Sequence, residues 1–149
     1  MKLTDEWFSA ISEAENGQLV IITGRDNLHA FMRSGKFNDR VESRWKYVAV
    51  EVGLRVREDA KRMELMDEAL RSAVEKNKLA IMTTVYTGGG EKSWVFYTRT
   101  SAVFFQTLNE ALSSFELFPL ELFAEKDPDW EEYQDMYEMK KQDEEEDND

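Results

Sequence analysis

Residues 79–98 read LAIMTTVYTGGGEKSWVFYT and predict a β-hairpin. Both halves of this stretch are rich in β-branched and aromatic residues, which favour strands. Three consecutive glycines separate the halves, and glycine accepts the positive φ angles of a tight turn without a steric clash. We therefore expect strands over residues 79–86 and 93–98, joined by the glycine turn.

The segments on either side of this hairpin alternate between strand and helix periods. Apolar residues recur at every second position within residues 45–56, which predicts a half-buried strand. Residues 58–77 have apolar residues at helical spacing, and Ser101 is the predicted N-cap of a second helix. The apolar run 120–123 predicts a last strand. This order predicts an α+β fold, namely a ferredoxin-like sandwich in which an antiparallel sheet carries two helices on one face.

An extra N-terminal β-hairpin is predicted before this core. Asn-Gly at residues 16–17 separates two apolar runs and is a strong short-range signal for a turn. Residues 6–15 are therefore expected to pair with residues 18–25. The connection over residues 26–43 has no sustained hydrophobic period and predicts one helical turn around residues 28–32.

A short C-terminal helix is predicted to close the fold. Asp127 is expected to cap this helix, and Pro128 to occupy its first helical position, where the missing N–H of proline costs nothing. The aromatic residues that follow have helical spacing and would share one face: Trp130, Tyr133 and Tyr137.

Length and composition indicate one folded domain. The chain has 149 residues, of which 42% are hydrophobic and 12% aromatic, within the size range of a single domain with its own core. Residues 1–139 are predicted to form this α+β domain, and the acidic residues 140–149 a disordered tail. The tail is expected to aid solubility, and binding of a basic protein is the alternative.

Charge and residue usage argue against several functional classes. The net charge is −12 and the basic residues are scattered, so no nucleic-acid partner is expected. RNA binding on the sheet would need aromatic residues interleaved with cations. The absence of cysteine excludes a disulfide framework and a thiolate nucleophile. No apolar run has the length of a membrane span or a signal peptide, so we expect a cytoplasmic protein without a membrane partner.

The sequence contains no recognisable catalytic or metal-binding constellation. His29 is the only histidine, and it is expected to be a surface or capping residue because no ligand spacing accompanies it. A phosphate-binding loop leads from a strand into a helix, whereas the glycine triplet lies between two strands. Acidic pairs are expected on solvated faces. The sequence therefore predicts no cofactor and no metal, and it favours a non-enzymatic protein.

The two central strands are apolar on both faces, although helices are predicted on one side only. A sheet with helices on one side normally presents a polar second face to water. The N-terminal hairpin, the aromatic chain ending, a second copy or a protein partner must therefore cover this face. We favour cover by the same chain, with an intermolecular interface as the alternative. The candidate residues for this sheet face or interface are Tyr47, Glu51, Tyr86, Tyr97, Trp130 and Tyr133.

The hairpin and the chain ending resemble a known family. The relevant segments are YTGGG at residues 86–90, WVFYT at residues 94–98 and KDPDWEEY at residues 126–133. They resemble a family of uncharacterised bacterial proteins, the domain of unknown function 695, over nearly the whole chain apart from the acidic tail. The resemblance implies the same α+β fold and no established activity, and it transfers no catalytic residue.

Two functional hypotheses follow from these observations. The first is a non-enzymatic, cytoplasmic protein-interaction or regulatory module that forms a homodimer or binds another protein. The alternative is a small-molecule-binding protein or an enzyme with a pocket on the sheet face. Such a pocket would use a carboxylate and tyrosines, with these candidates: Tyr47, Glu51, Tyr86 and Tyr97.

Overall fold

The structure is a computed structural model that describes residues 3–13, 17, 19–46, 54–75, 78–88, 91–112 and 120–147. This part of the chain forms an α+β fold with one six-stranded antiparallel sheet and four helices. In chain order the elements are β1 (Trp7–Glu13), β2 (Leu19–Arg25), α1 (His29–Arg33), β3 (Asp39–Lys46), α2 (Leu54–Glu75), β4 (Ala80–Gly88), β5 (Glu91–Thr98), α3 (Ser101–Leu112), β6 (Leu120–Lys126) and α4 (Glu131–Asp147).

The sheet has the strand order β1-β2-β4-β5-β3-β6, and its neighbouring strands are antiparallel. β4 and β5 form the predicted central hairpin, in which Gly88 lies opposite Glu91. Gly88 has a φ of 154°, and a Cβ there would lie 2.9 Å from the Cα of Val20. β1 and β2 form the predicted N-terminal hairpin. This hairpin extends the sheet beyond β4 and does not cover either face.

Helices α2 and α3 pack against one face of the sheet. The rings of Phe96 on β5 and Phe104 on α3 have centroids 5.0 Å apart. This side of the fold contains one of two buried clusters, which we call the helix-face core: Val41, Trp45, Leu70, Val74, Ala80, Met82, Trp94, Phe96, Phe104 and Leu108. The face that the sequence assigns to two helices is therefore packed as expected.

The chain itself covers the opposite face of the sheet. Helix α4 lies across this face, and α1 with the segment after it adds Phe31 and Phe37. The helical turn predicted around residues 28–32 corresponds to α1. We call the second buried cluster the α4-face core: Ala10, Ile22, Leu28, Phe31, Phe37, Ile81, Val95, Tyr97, Trp130, Tyr133 and Met136. The aromatic chain ending is thus the main cover for the second apolar face.

The strand predicted over residues 45–56 is misplaced. β3 ends at Lys46, residues 47–53 lie outside the described residues, and residues 54–56 belong to α2. Alternating valines do not mark where a strand ends, and the leucine and arginines at the start of α2 are good helix formers. The predicted strand therefore includes residues 54–56, which belong to α2.

The interpretation of residues 26–43 as an irregular connection is also wrong, because β3 begins at Asp39. The face of β3 that points toward α4 carries Arg40, Glu42 and Arg44, which gives this strand the appearance of a polar loop. Arg40 is nevertheless 7% exposed. Its pairing with glutamates compensates for the cost of burying its charge.

Two predicted helix starts require correction. Ser101 was predicted as an N-cap but is the first residue of α3, and its N–H donates to the carboxylate of Asp39 at 3.0 Å. Pro128 lies in a turn rather than in the first helical turn, because α4 begins at Glu131. Trp130 immediately precedes α4 with a positive φ of 56°. At α3 a distant carboxylate, that of Asp39, accepts a free N–H group of the helix start. At α4 the local residue Asp127 accepts two such N–H groups, and the distant hydroxyl of Tyr97 accepts a third.

Helix α4 is longer than the short helix that the sequence predicts. It has 17 residues and continues through the acidic stretch to Asp147. Lysine, glutamine and glutamate are good helix formers, so this stretch is compatible with a helix. The disorder of residues 140–149 in solution stays a prediction.

Candidate functional site

Three predicted site residues lie together beneath α4. Tyr97 stacks on Trp130 with ring centroids 4.3 Å apart, and Tyr133 packs edge-on against Trp130 at 5.5 Å. The indole N–H of Trp130 donates to the carbonyl of Phe37 at 2.7 Å. The exposed fractions of Tyr97, Trp130 and Tyr133 are 0%, 1% and 3%. These side chains attach α4 to the sheet and present no surface to a ligand.

The hydroxyl groups of this cluster are satisfied within the chain. Tyr97 Oη donates to Asp127 Oδ2 at 2.7 Å and accepts the N–H of Tyr133 at 3.3 Å. Tyr133 Oη donates to the carbonyl of Arg25 at 2.5 Å. Burial raises the pKa of both tyrosines, and the neighbouring carboxylate of Asp127 raises that of Tyr97 further. Both hydroxyls therefore stay protonated at neutral pH and act as structural hydrogen-bond donors.

Asp127 links this cluster to the start of α4. Its Oδ1 accepts the N–H of Glu131 at 2.9 Å, and its Oδ2 accepts the N–H of Glu132 at 3.2 Å in addition to the hydroxyl of Tyr97. A carboxylate at this position also stabilises the positive end of the helix dipole. The predicted capping function of Asp127 is confirmed, although the turn through Trp130 separates it from the first helical residue.

Tyr86 lies on the same sheet face, half-buried beside a group of charged side chains. Burial raises the pKa of Tyr86 to about 12, and the carboxylates of Glu132 and Glu42 contribute to the increase. Arg40 pairs with Glu132 at 3.1 Å, with Glu42 at 3.2 Å and with Glu125 at 3.5 Å. Because three carboxylates surround this arginine, the group does not favour an anionic ligand.

The predicted site residues are thus only partly brought together. Tyr97, Trp130 and Tyr133 form one cluster, Tyr86 lies at its border, and Tyr47 and Glu51 lie outside the described residues. Within the described ranges, no three histidine or acidic side chains converge in a way that could hold a metal ion.

A different surface, on the N-terminal hairpin, exposes large apolar side chains. Ile11, Leu19 and Ile21 are 66%, 64% and 49% exposed. Ile11 lies directly opposite Ile21, and Leu19 lies opposite Glu13, which shares the face of Ile11. We call the three apolar side chains the hairpin patch. They lie on the side of the sheet that carries α2, because Trp7 belongs to the same face and its ring contacts Arg71 of α2.

A cavity between the hairpin and α2 continues this surface. It has a volume of about 310 Å³ and is lined by Asp5, Trp7, Thr23, Asp67, Arg71, Met82 and Val85. A wider cleft of about 620 Å³ along α2 shares Asp67 and Arg71 with it. The remaining residues that line the wider cleft are Glu68, Ser72 and Glu75.

Trp7 is held in this cavity by charged neighbours. The guanidinium groups of Arg25 and Arg71 lie 5.1 Å and 5.5 Å from the centroid of its ring. Asp5 Oδ1 accepts the indole N–H at 2.6 Å and a guanidinium N–H of Arg71 at 2.7 Å. These two hydrogen bonds hold the pKa of Asp5 below its usual value, so its carboxylate is ionised. Arg25 is buried and pairs with Glu75.

Carboxylates outnumber cations around the hairpin patch and the cavity. Among the described side chains here, the carboxylates are Asp5, Glu13, Asp67, Glu68 and Glu75, and the cations are Arg25, Arg71 and Lys92. The described side chains of this combined surface therefore carry a net negative charge, which attracts cationic groups.

A comparison with protein families gives one match. The model of a family described as a family of unknown function (DUF695) matches residues 5–137. The chain belongs to this family. Neither the curated proteins nor the solved structures that were compared with the chain gave a match. No helix in the described part of this DUF695 protein has the length and apolar character needed to cross a membrane.

The DUF695 match includes the hairpin patch, which the sequence did not predict as a site. The β-branched run LVIIT at residues 19–23, bounded by Gly24, predicts a buried strand. In the structure, Ile22 is buried and Ile21 is exposed. The signal was nevertheless present, because this run is apolar on both faces in the same way as β4 and β5. A strand that is apolar on both faces needs a cover on each face, so the sequence of β2 already indicates a second apolar face.

Proposed function

We propose that the protein is a protein-interaction module that binds an extended, basic segment of a partner protein as an additional strand beside β1. The observation that carries this proposal is the hairpin patch, three large apolar side chains exposed beside an edge strand. Exposed apolar patches commonly mark interaction sites. An edge strand offers unpaired backbone N–H and C=O groups to an incoming segment.

The backbone geometry of β1 supports strand addition. β1 is the outermost strand of the described sheet and pairs on one side with β2. The N–H of Asp26 donates to the carbonyl of Glu6 at 2.8 Å, and hydrogen-bonded pairs alternate along an antiparallel ladder. This alternation directs the backbone groups of Trp7, Ser9 and Ile11 away from β2. A segment placed beside β1 can therefore pair with these residues.

Charge favours a basic partner over a second copy of this chain. The hairpin patch and the cavity are bordered by an excess of carboxylates, and the whole chain has a net charge of −12. Two copies joined through β1 would bring like charges together, which opposes association. A segment that combines apolar residues with lysine or arginine would bury the hairpin patch and pair with the neighbouring carboxylates.

A synthetic peptide provides a direct test if isoleucine and lysine take turns at every second position with threonine between them, because both side chains then lie on one face of the added strand. Hydrogen exchange of the full chain is measured with and without this peptide. We expect the peptide to slow exchange at the amides of Ser9 and Ile11, because an added strand would bond to them. A peptide with glutamate in place of lysine is expected to leave these amides unprotected. Absence of protection by the lysine peptide would contradict the proposal.

Matched variants test whether the hairpin patch is the site. The double variant Ile11→Ser, Ile21→Ser is expected to weaken peptide binding roughly tenfold, because it removes the apolar contact. The control is Val103→Ser, which changes a side chain that is 44% exposed on α3 and should bind the peptide normally. Equal binding of the peptide by both variants would contradict the proposal. It would also be contradicted if light scattering showed that the unchanged chain is a dimer and that only the double variant is a monomer.

A finer statement about the fold accompanies this proposal. We propose that β3, α2, β4, β5, α3 and β6 form a ferredoxin-like sandwich to which β1 and β2 are added. The strand order β4-β5-β3-β6 supports it, because β5 lies between the two strands that α2 connects. Superposition of an experimental structure on ferredoxin-like domains would test the arrangement. Action in the cytoplasm stays a prediction.

A further inference from the structure

We infer that the cavity between the hairpin and α2 binds one lysine or arginine side chain of the added strand, four residues away from the apolar residue that packs on the hairpin patch. This inference rests on the strand addition proposed above and specifies the sequence pattern of the partner segment. It assigns a spacing to the partner that strand addition by itself does not require.

The lining of the cavity suits a side chain that is apolar along its stem and charged at its end. Trp7, Met82 and Val85 provide apolar walls, and Asp5 provides an exposed carboxylate, whereas the carboxylate of Asp67 already pairs with Lys92. Lysine and arginine bury their aliphatic stems against such walls while the charged group stays near water. The volume of about 310 Å³ is at the small end of binding pockets, which measure about 300–1,000 Å³. One long side chain suits this space better than a large ligand.

Asp5 is able to receive an additional cation. Both hydrogen bonds to its carboxylate, from Trp7 and from Arg71, end at Oδ1. The side chain is 68% exposed, so Oδ2 is accessible to an incoming ammonium or guanidinium group. Glu68 is also exposed on the adjoining turn of α2. Arg71 pairs with Asp5 and Glu75, and Lys92 pairs with Asp67. Glu68 therefore adds a carboxylate beyond these ion pairs at the adjoining cleft.

The geometry of β1 sets the spacing. Trp7 at the cavity and Ile11 in the hairpin patch are four residues apart on the same face of β1. Four residues of a strand span about 13 Å. An added strand has the same rise and the same alternation, so residues four apart would meet the patch and the cavity together. Residues five apart would point to opposite faces of the sheet, and one of the two contacts would be lost.

Two peptides of identical composition test this spacing. Each has one isoleucine and one lysine in a background of threonine and serine, with the lysine four residues from the isoleucine in the first and five in the second. Fluorescence anisotropy of labelled peptide measures the dissociation constant for the full chain. At low salt we expect the four-residue peptide to bind about fivefold more tightly, as one favourable ion pair allows. The ratio should approach one at about 1 M salt, because the charge contribution is screened.

A variant of Asp5 tests the role of the carboxylate. Asp5→Asn keeps the shape of the side chain and an oxygen that accepts from Trp7 and Arg71, so we expect it to fold normally. It should bind both peptides with similar affinity. The matched control Asp135→Asn changes an exposed carboxylate of α4, on the other side of the sheet, and should retain the preference for the four-residue spacing.

The outcomes separate this inference from the proposed function. Equal affinity of the two peptides, with the amides of β1 protected by both, would overturn the inference and leave strand addition intact. A spacing preference that Asp5→Asn retains would overturn the assignment to this cavity. Absence of β1 protection with both peptides would overturn strand addition and the inference with it.

Discussion

The α4-face core and the hairpin patch offer a comparison within a single strand. Ile21 and Ile22 are neighbours in β2 with identical side chains, yet Ile21 is 49% exposed and Ile22 is 2% exposed. Ile22 points toward α4, whereas Ile21 points toward the side of the sheet where α2 leaves the hairpin open. The exposure of an apolar residue in this sheet therefore depends on which helix covers its face.

The two regions also differ in how their polar groups are satisfied. Beneath α4, the hydroxyls of Tyr97 and Tyr133 and the carboxylate of Asp127 bond to one another or to the backbone. In the cavity that adjoins the hairpin patch, the exposed carboxylate of Asp5 has an accessible oxygen. The first region thus has the properties of a completed core, and the second has those of a surface that a partner can complete.

The largest expected effect concerns the aromatic cover. We expect Trp130→Ala to lower the free energy of unfolding by about 3–5 kcal/mol, because it leaves a cavity in the α4-face core. Leu65→Ala serves as the control, since Leu65 is 55% exposed on α2, and it should cost less than about 1 kcal/mol. Denaturant unfolding measures both values. Similar losses in the two variants would mean that α4 does not stabilise the sheet.

The next effect concerns the cap that holds α4 in place. Asp127→Ala removes the acceptor for two helical N–H groups and for the hydroxyl of Tyr97. We expect a loss of about 2 kcal/mol in unfolding free energy. The neighbouring exposed residue provides a matched control, and Asp129→Ala should change stability by less than about 0.5 kcal/mol. If both variants lose the same stability, the carboxylate of Asp127 has no special capping role.

A smaller effect is expected at alkaline pH. Burial raises the pKa of Tyr86 to about 12 in the folded chain, whereas an unfolded tyrosine ionises near pH 10, about its ordinary pKa. Above pH 10 the unfolded chain therefore loses this proton while the folded chain retains it, so stability falls as pH rises toward 12. Denaturant unfolding at a series of pH values measures the slope.

The contribution of Tyr86 can be separated from that of the other tyrosines. We expect Tyr86→Phe to reduce the alkaline slope without removing it, because Tyr97 and Tyr133 also have raised pKa values. An unchanged slope in this variant would show that Tyr86 ionises as freely in the folded chain as in the unfolded one.

The smallest effect on stability is expected in the hairpin patch. Ile21→Ser should change the free energy of unfolding by less than about 1 kcal/mol, because Ile21 makes few buried contacts. The adjacent Ile22→Ser should cost about 2–4 kcal/mol, since it places a hydroxyl in the α4-face core. Thermal or denaturant unfolding of the two variants is a direct test. Equal losses would indicate that the hairpin patch belongs to the core.

The sequence predicts correctly those elements whose signal lies in residues close together in the chain. The glycine turn and its β-branched flanks predicted β4 and β5, and the Asn-Gly turn predicted β1 and β2. Strand β3 was misplaced because Arg40 and Glu42 look like loop residues until their partners are known. One of these partners, Glu132 on α4, is distant in the chain. The tyrosines and Trp130 were recognised as candidates, but their role as a cover depends on the packing of α4.

The sequence by itself determined the type of most elements and the pairing within the two hairpins, because hydrophobic period and turn chemistry depend on residues close together in the chain. It also determined that the sheet has more than one apolar face to cover. Only the tertiary structure decided which face α4 covers and which side chains of β2 stay exposed. That outcome depends on contacts between distant segments, such as the stacking of Tyr97 on Trp130, which no local pattern encodes.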